Sequence, residues 1–168
     1  MTLDIPPPPE PVPLRCTAIA LPPYRYIPGV HPHPIRHPDG HAHTHPRPLS
    51  FIITAPWADQ HIWNHGLDLF DHRYYWESHE VFEQMWHACK GKTGERLLLQ
   101  GLIQAAAFRL KWHQQQERPA LKLLDASTNK LQHASETLGP IVHGVPILNL
   151  IQRLCQVPTT AHWPTIYP

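Results

Sequence analysis

The chain lacks the features of a membrane-spanning or secreted protein. No stretch approaches the roughly 18 consecutive apolar residues of a spanning helix, and Gln100 and Gln104 interrupt the richest apolar run. The first residues carry neither a basic segment nor an apolar core, so we expect no signal peptide. The three cysteines are far apart and have no CxxC spacing, which favours reduced thiols in the cytosol over a disulfide frame. Cys89 and Cys155 fall on apolar helix faces, where we expect small core residues.

An excess of charge of either sign is also missing. Lysine and arginine number 14 against 13 acidic residues, for a formal net charge of +1. A binder of nucleic acid or of an anionic membrane usually has a basic surface, so we expect neither partner. The 15 histidines stand out, because they can add positive charge below about pH 6.5. Those near the first predicted helix, His61, His65 and His72, are expected at the surface or at helix caps.

Proline divides the chain near residue 56. Of the 21 prolines, 15 lie in residues 1–56, a density that excludes helices and central strands there. We expect residues 1–56 to form an extended Pro/His-rich arm that is mobile at its start and lies on the domain from residue 21 onward. Residues 57–157 are predicted to form a helical domain, and residues 158–168 an irregular tail.

The second part of the chain has helical periodicity and no alternating strand pattern. A short turn at residues 71–73 makes the first two helices a hairpin. The predicted class is all-α, a compact array or bundle of about five helices. The predicted helices cover residues 57–70, 74–89 and 95–115, then run from near Pro119 to Leu138 and onward from Pro146.

The second predicted helix has two different faces. One is apolar and carries Val81, Phe82 and Met85. The opposite face places ionisable side chains between two tryptophans: Trp76, His79, Glu80, Glu83 and Trp86. Two exposed tryptophans would form a conspicuous patch, so we expect this face to be covered. Gln100 and Gln104 form a polar stripe on the third helix, and we predict that they meet this face in one polar cluster.

Three interpretations of the polar cluster stay open. It can be a buried hydrogen-bond network that orders the fold, because removing one partner of such a network costs about 3–5 kcal/mol. It can bind an unknown small ligand or protein. It can also serve a metal-dependent hydrolase-like enzyme, with His79 and Glu83 as ligands and Glu80 as the candidate catalytic base. Glu83 occupies the last position of the zinc motif H-E-x-x-H, so a divalent metal is not the favoured cofactor.

A histidine-rich run in the arm is a separate metal candidate. Six histidines fall between residues 31 and 45, and alternate residues of an extended strand share a side. His41, His43 and His45 could therefore chelate a metal ion. The alternative is adventitious affinity, because a histidine-rich tract is only a compositional hint.

Four separated motifs occur in order along the chain: Tyr24-Arg-Tyr-Ile-Pro-Gly, Gly66-Leu-Asp-Leu-Phe, Tyr74-Tyr-Trp-Glu-Ser-His-Glu and Leu99-Gln-Gly-Leu-Ile-Gln-Ala-Ala-Ala. Together they resemble the domain of unknown function 309 family in its longer bacterial form. The resemblance implies a small soluble all-helical protein of bacterial type, and it implies no activity. The signature residues that it carries over are Trp76, Glu77, His79, Glu80, Glu83, Trp86, Gln100, Gly101 and Gln104.

The chain departs from this family pattern at two places. Arg73 stands in the hairpin turn where the family usually has glycine, so a positive φ is not expected there. The run His41-Ala-His-Thr-His extends beyond the usual family pattern. We predict a cytoplasmic binding or scaffold protein. The alternatives are the metal-dependent enzyme and a protein-interaction module, the latter because the hairpin resembles a helical-repeat unit.

Overall fold

A computed structural model describes residues 12–44, 60–91 and 93–156, and it confirms the all-α class. Within those residues, no helix has the length and apolarity needed to cross a membrane. The predicted domain boundaries near residues 56 and 157 lie outside the described ranges. The helices of the described part are α1 (Gln60–Asp71), α2 (Tyr75–Ala88), α3 (Thr93–His113), α4 (Glu117–Leu138) and α5 (Ile147–Cys155).

Each helix packs against the next one along the chain. The predicted apolar face of α2 is confirmed as core, since Val81, Phe82 and Met85 are all buried. Cys89 is buried as expected, whereas Cys155 is exposed because it lies in the last turn of α5 and faces solvent.

Gly101 allows α3 and α4 to approach closely. A Cβ atom at this position would lie 2.7 Å from the Cδ2 atom of Leu131. At the same contact, the Ser127 hydroxyl donates a 2.7 Å hydrogen bond to the carbonyl of Gly101. The absence of a side chain at Gly101 therefore sets the distance between the two longest helices of the described part.

The turn between α1 and α2 corrects the expectation for Arg73. This residue has φ 67°, the left-handed conformation that glycine usually supplies at the end of a helix. The amide of Arg73 donates to the Phe70 carbonyl at 2.9 Å, and the amide of Tyr74 donates to the Leu69 carbonyl at 2.8 Å. This pair of bonds is a Schellman motif, which satisfies the last carbonyls of α1. Arg73 is also buried, and this burial lowers the pKa of its guanidinium.

A short hairpin follows α4, where no strand was expected. Strand β1 (Ile141–Val142) pairs antiparallel with β2 (Val145–Pro146). His143 and Gly144 have φ 48° and 84°, as a two-residue type I′ turn requires. The Trp63 indole donates to the His143 carbonyl at 3.1 Å and fixes the turn to α1. Strands of two residues are too short to produce an alternating pattern.

The described part of the arm lies against α1 and α2. Its backbone reaches the buried Asp68 of α1, where the amides of Cys16 and Thr17 donate to the carboxylate at 2.7 and 2.9 Å. Farther along, the Tyr74 hydroxyl donates to the Pro22 carbonyl at 3.1 Å. The arm thus covers the first turns of α2 and forms one side of the candidate site.

Candidate functional site

A cavity of about 310 Å³ lies between the arm and helices α1 and α2. Its size is at the lower limit of the range for small-molecule sites, about 300–1,000 Å³. Ala20 and Pro23 of the arm are exposed and line it, so the cavity reaches the surface there. The polar and aromatic members of its wall are His41, His65, Trp76, Glu77, Glu80 and Gln84.

Glu77 is the buried acid of this cavity, with 6% exposure. Its Oε1 accepts a 3.0 Å hydrogen bond from the amide of Tyr26 and a 3.1 Å bond from Nε2 of His41. Its Oε2 is also buried, and it has no hydrogen-bond partner among the described residues. A buried acceptor left unsatisfied costs about 1–3 kcal/mol. Glu77 Oε2 is therefore an acceptor that a bound molecule can satisfy.

His65 lines the same cavity from α1 and corrects the expectation that it lies at the surface. Burial lowers the pKa of His65 to about 4, an effect that the Asp68 carboxylate opposes and the nearby Arg15 strengthens. The imidazole is consequently neutral at pH 7. Its Nδ1 is buried and has no hydrogen-bond partner within the described residues. His72 is buried as well, but its Nδ1 donates to the Asp68 carbonyl at 2.8 Å in the last turn of α1, so it caps this helix, which is one of the two expectations for it.

Aromatic rings of the arm pack against Trp76 and His41, two residues that line the cavity. The rings of Tyr26 and His33 each approach Trp76 edge-on, with centroids 5.4 Å away. Tyr24 packs edge-on against His41 at 4.7 Å, and its hydroxyl accepts a 3.2 Å bond from the His41 amide. These contacts fix His41 where it donates to Glu77.

The predicted polar face of α2 divides between two sides of the helix. Trp76 and Glu80 line the cavity under the arm. Trp86 lies instead beneath the guanidinium of Arg96, which is 4.1 Å from the ring centre. Arg96 also donates to the carbonyls of Trp86 and Cys89, at 3.0 and 2.8 Å, and so caps the end of α2.

Gln100 and Gln104 are partly buried on α3. Within the described ranges, no hydrogen bond joins either side chain to α2. Three polar atoms of α2 and α3 are buried without a hydrogen-bond partner among the described residues: His79 Nδ1, Trp86 Nε1 and Gln104 Oε1. The association of the two glutamines with the α2 cluster therefore stays a prediction.

Three potential metal ligands come together at His79, Glu80 and Glu83. One ligand atom of each lies within 4.8 Å of the other two, and His79 Nδ1 is 3.4 Å from Glu80 Oε1. Nitrogen and oxygen ligands lie about 2.0–2.2 Å from a zinc ion, so two of them on the same ion can be at most about 4.4 Å apart. Small side-chain movements would thus be enough to hold an ion. All three residues are only partly buried, and acidic groups commonly cluster at surfaces without a metal.

His41 and His43 do not share one side as an extended strand would place them. Residues 41–44 form turns and bends, with the amide of His43 donating to the Gly40 carbonyl at 3.0 Å. His43 Nδ1 donates to the Ile35 carbonyl at 2.9 Å, while His41 points to Glu77. His45 lies outside the described residues, so the three-histidine site stays a prediction.

The sequence interpretation did not predict that two acids, Asp68 and Glu77, contact the arm, although the family resemblance carried over Glu77 as a signature residue. Asp68 interrupts the apolar run Gly66-Leu-Asp-Leu-Phe, and a lone acid in such a run is a signal of a buried, bonded carboxylate. Glu77 lies three residues before Glu80 and therefore on the same side of α2. Both signals were present, but the proline-rich arm has no periodicity that shows which residues meet them.

Comparison with known protein families gives a match to part of the chain. Residues 63–123 match the family model described as Domain of unknown function (DUF309). This segment contains most of α1, all of α2 and α3, and the start of α4. No curated protein and no solved structure matches the chain. The matched segment supplies the helical wall of the cavity, including Glu77, and excludes the arm.

Proposed function

We propose that this chain, whose residues 63–123 match the family of unknown function, is a binding protein with a small ligand in the cavity under the arm. The observation that carries the proposal is the buried carboxylate of Glu77, which has one satisfied and one unsatisfied oxygen. The cavity beside it is wide enough for a small molecule.

Asp68 offers a comparison within the same chain. This acid also contacts the arm and is buried, but both of its oxygens accept hydrogen bonds. Oδ1 accepts from the Cys16 amide, and Oδ2 accepts from the Thr17 amide and hydroxyl. An acid that only anchors the arm can thus be fully satisfied here. The unsatisfied oxygen of Glu77 supports a role toward a ligand.

Benzyl alcohol is a suitable neutral probe of the cavity. We expect its binding to shift the amide NMR signals of residues around Trp76 and His41. Gln84→Trp should abolish these shifts, because Gln84 lines the cavity and a larger side chain would fill it. The matched control is Gln152→Trp, at an exposed position of α5. Shifts that persist in Gln84→Trp, or that are absent in the wild type, would contradict a ligand site in this cavity.

A second candidate function is metal binding at His79, Glu80 and Glu83, in support of hydrolase-like chemistry with Glu80 as base. The proximity of the three ligand atoms favours it. Untagged protein lacking residues 31–45 should then bind zinc or manganese stoichiometrically and lose the metal in His79→Ala and Glu83→Ala. If it carries no metal after reconstitution, and both variants melt at a lower temperature in metal-free buffer, the cluster has a scaffold role instead.

A further inference from the structure

We infer that the ligand of this cavity carries a protonated amine, which donates hydrogen bonds to Oε2 of Glu77. The inference rests on the proposed ligand site and adds the chemical class of the ligand. A carboxylate oxygen accepts hydrogen bonds and cannot donate them. The matching group on the ligand must therefore be a donor.

The charge around the cavity favours a cationic donor over a neutral one. Glu77 and Glu80 both line it, and no lysine or arginine does so among the described lining residues. His65 adds no positive charge at pH 7, since burial lowers its pKa to about 4. Arg25 interacts electrostatically with Glu77, but it is not part of the cavity wall. An ammonium group would bring the positive charge that this side of Glu77 lacks.

The remaining surface of the cavity indicates the body of the ligand. Leu69, Val81 and Ile35 provide apolar wall, and Trp76 provides an aromatic one. Indole rings attract cations through their electron-rich faces, and they also bury apolar groups. Glu80 is a second carboxylate in the cavity wall, and its side chain is 34% exposed, so it is more solvated than Glu77. The site thus suits a small amine with an apolar or aromatic body.

Three probes with one ring and different head groups test this inference: benzylamine, benzyl alcohol and benzoate. Calorimetric titration at pH 7 compares them on the wild type, Glu77→Gln and Glu80→Gln. We expect benzylamine to bind the wild type about 10- to 100-fold more tightly than benzyl alcohol, as a charged hydrogen bond in a buried site allows. Glu77→Gln should bring this ratio close to one, and Glu80→Gln should lower it only in part. Glu136→Gln, at an exposed position of α4, is the matched control.

The outcomes separate the ligand class from the ligand site. If benzyl alcohol binds in a Gln84-dependent way and benzylamine is no tighter, the amine class is wrong while the site stands. Tighter binding of benzoate also overturns the amine class, since the site would then prefer an anion. If none of the probes binds, both proposals fail.

A folding defect in Glu77→Gln would not remove the test. Added salt should weaken benzylamine binding to the wild type and leave benzyl alcohol binding unchanged, because only the amine is held by charge. Equal salt dependence of the two probes would overturn the inference.

Discussion

His41 of the arm and Glu77 of α2 form a hydrogen bond of 3.1 Å although 36 residues separate them in the chain. Their side chains are 8% and 6% exposed. The contact joins a segment without regular secondary structure to a rigid helix. It satisfies only one oxygen of Glu77, whereas the second oxygen is buried without a hydrogen-bond partner among the described residues.

Asp68→Asn should release the arm from α1. The amide nitrogen of asparagine would replace one carboxylate oxygen and face the donating amide of either Cys16 or Thr17, so at least one bond to a buried carboxylate is lost. We expect a decrease of about 2–4 kcal/mol in the free energy of unfolding, measured by urea denaturation. Trypsin should also cleave faster after Arg25. Asp125→Asn, at an exposed site, is the control; equal proteolysis of the two variants would refute the anchoring role.

The neutral state of His65 predicts a loss of stability in acid. The unfolded chain binds a proton near the ordinary pKa of about 6.5, whereas the folded chain binds it only near pH 4. The neutral His65 therefore makes its full contribution to the free energy of unfolding above pH 6.5. This contribution, on the order of 3 kcal/mol, is lost as the pH falls from 6.5 to 4.

Thermal and urea unfolding of His65→Gln across this pH range checks the prediction. The variant should lose less stability than the wild type between pH 6.5 and 4. The exposed His133→Gln should follow the wild type. Parallel pH profiles for the wild type and His65→Gln would show that His65 is not buried in its neutral form.

Gly101→Ala should destabilise the contact between α3 and α4. Its Cβ would lie 2.7 Å from the side chain of Leu131 and 3.3 Å from the backbone of the same residue. Leu131 is fully buried, so we expect a loss of about 1–3 kcal/mol from overpacking. In Gly94→Ala the new Cβ atom would lie at the same distance, 2.7 Å, from the side chain of Leu138. That side chain is partly exposed and can move. Urea denaturation should place Gly94→Ala near the wild type; similar losses in both variants would contradict this difference.

Gln115→Gly should stabilise the end of α3. Gln115 has φ 57° and closes a Schellman motif, in which the amide of Gln116 donates to the Lys111 carbonyl at 3.0 Å. Glycine adopts this conformation without the Cβ conflict, so we expect a gain of about 0.5–1 kcal/mol. Gln132→Gly, inside α4, should lose about 1 kcal/mol. If Gln115→Gly also loses stability, the left-handed conformation at this position carries no strain.

The sequence predicted the helices because their signals are local. The apolar spacing of Val81, Phe82 and Met85 is enough to place one face of α2 in the core. The left-handed backbone at Arg73 was not predicted, because the two Schellman hydrogen bonds act against the intrinsic preference of a residue with a Cβ atom.

The site was less predictable because half of it comes from the arm. Helical periodicity predicted Trp76 and Glu80 as candidate site residues, and both line the cavity. The partners of Glu77, however, are Tyr26 and His41, which lie in a proline-rich segment without a repeating pattern. No spacing rule connects such a segment to a helix, so only the three-dimensional structure identifies the pairing.

A crystal structure of the wild-type protein with benzylamine tests the central claim most directly. The account predicts the ring against the apolar wall near Trp76 and the amine nitrogen about 2.7–3.2 Å from Glu77 Oε2. A benzylamine bound elsewhere, or one whose nitrogen points away from Glu77, would contradict it.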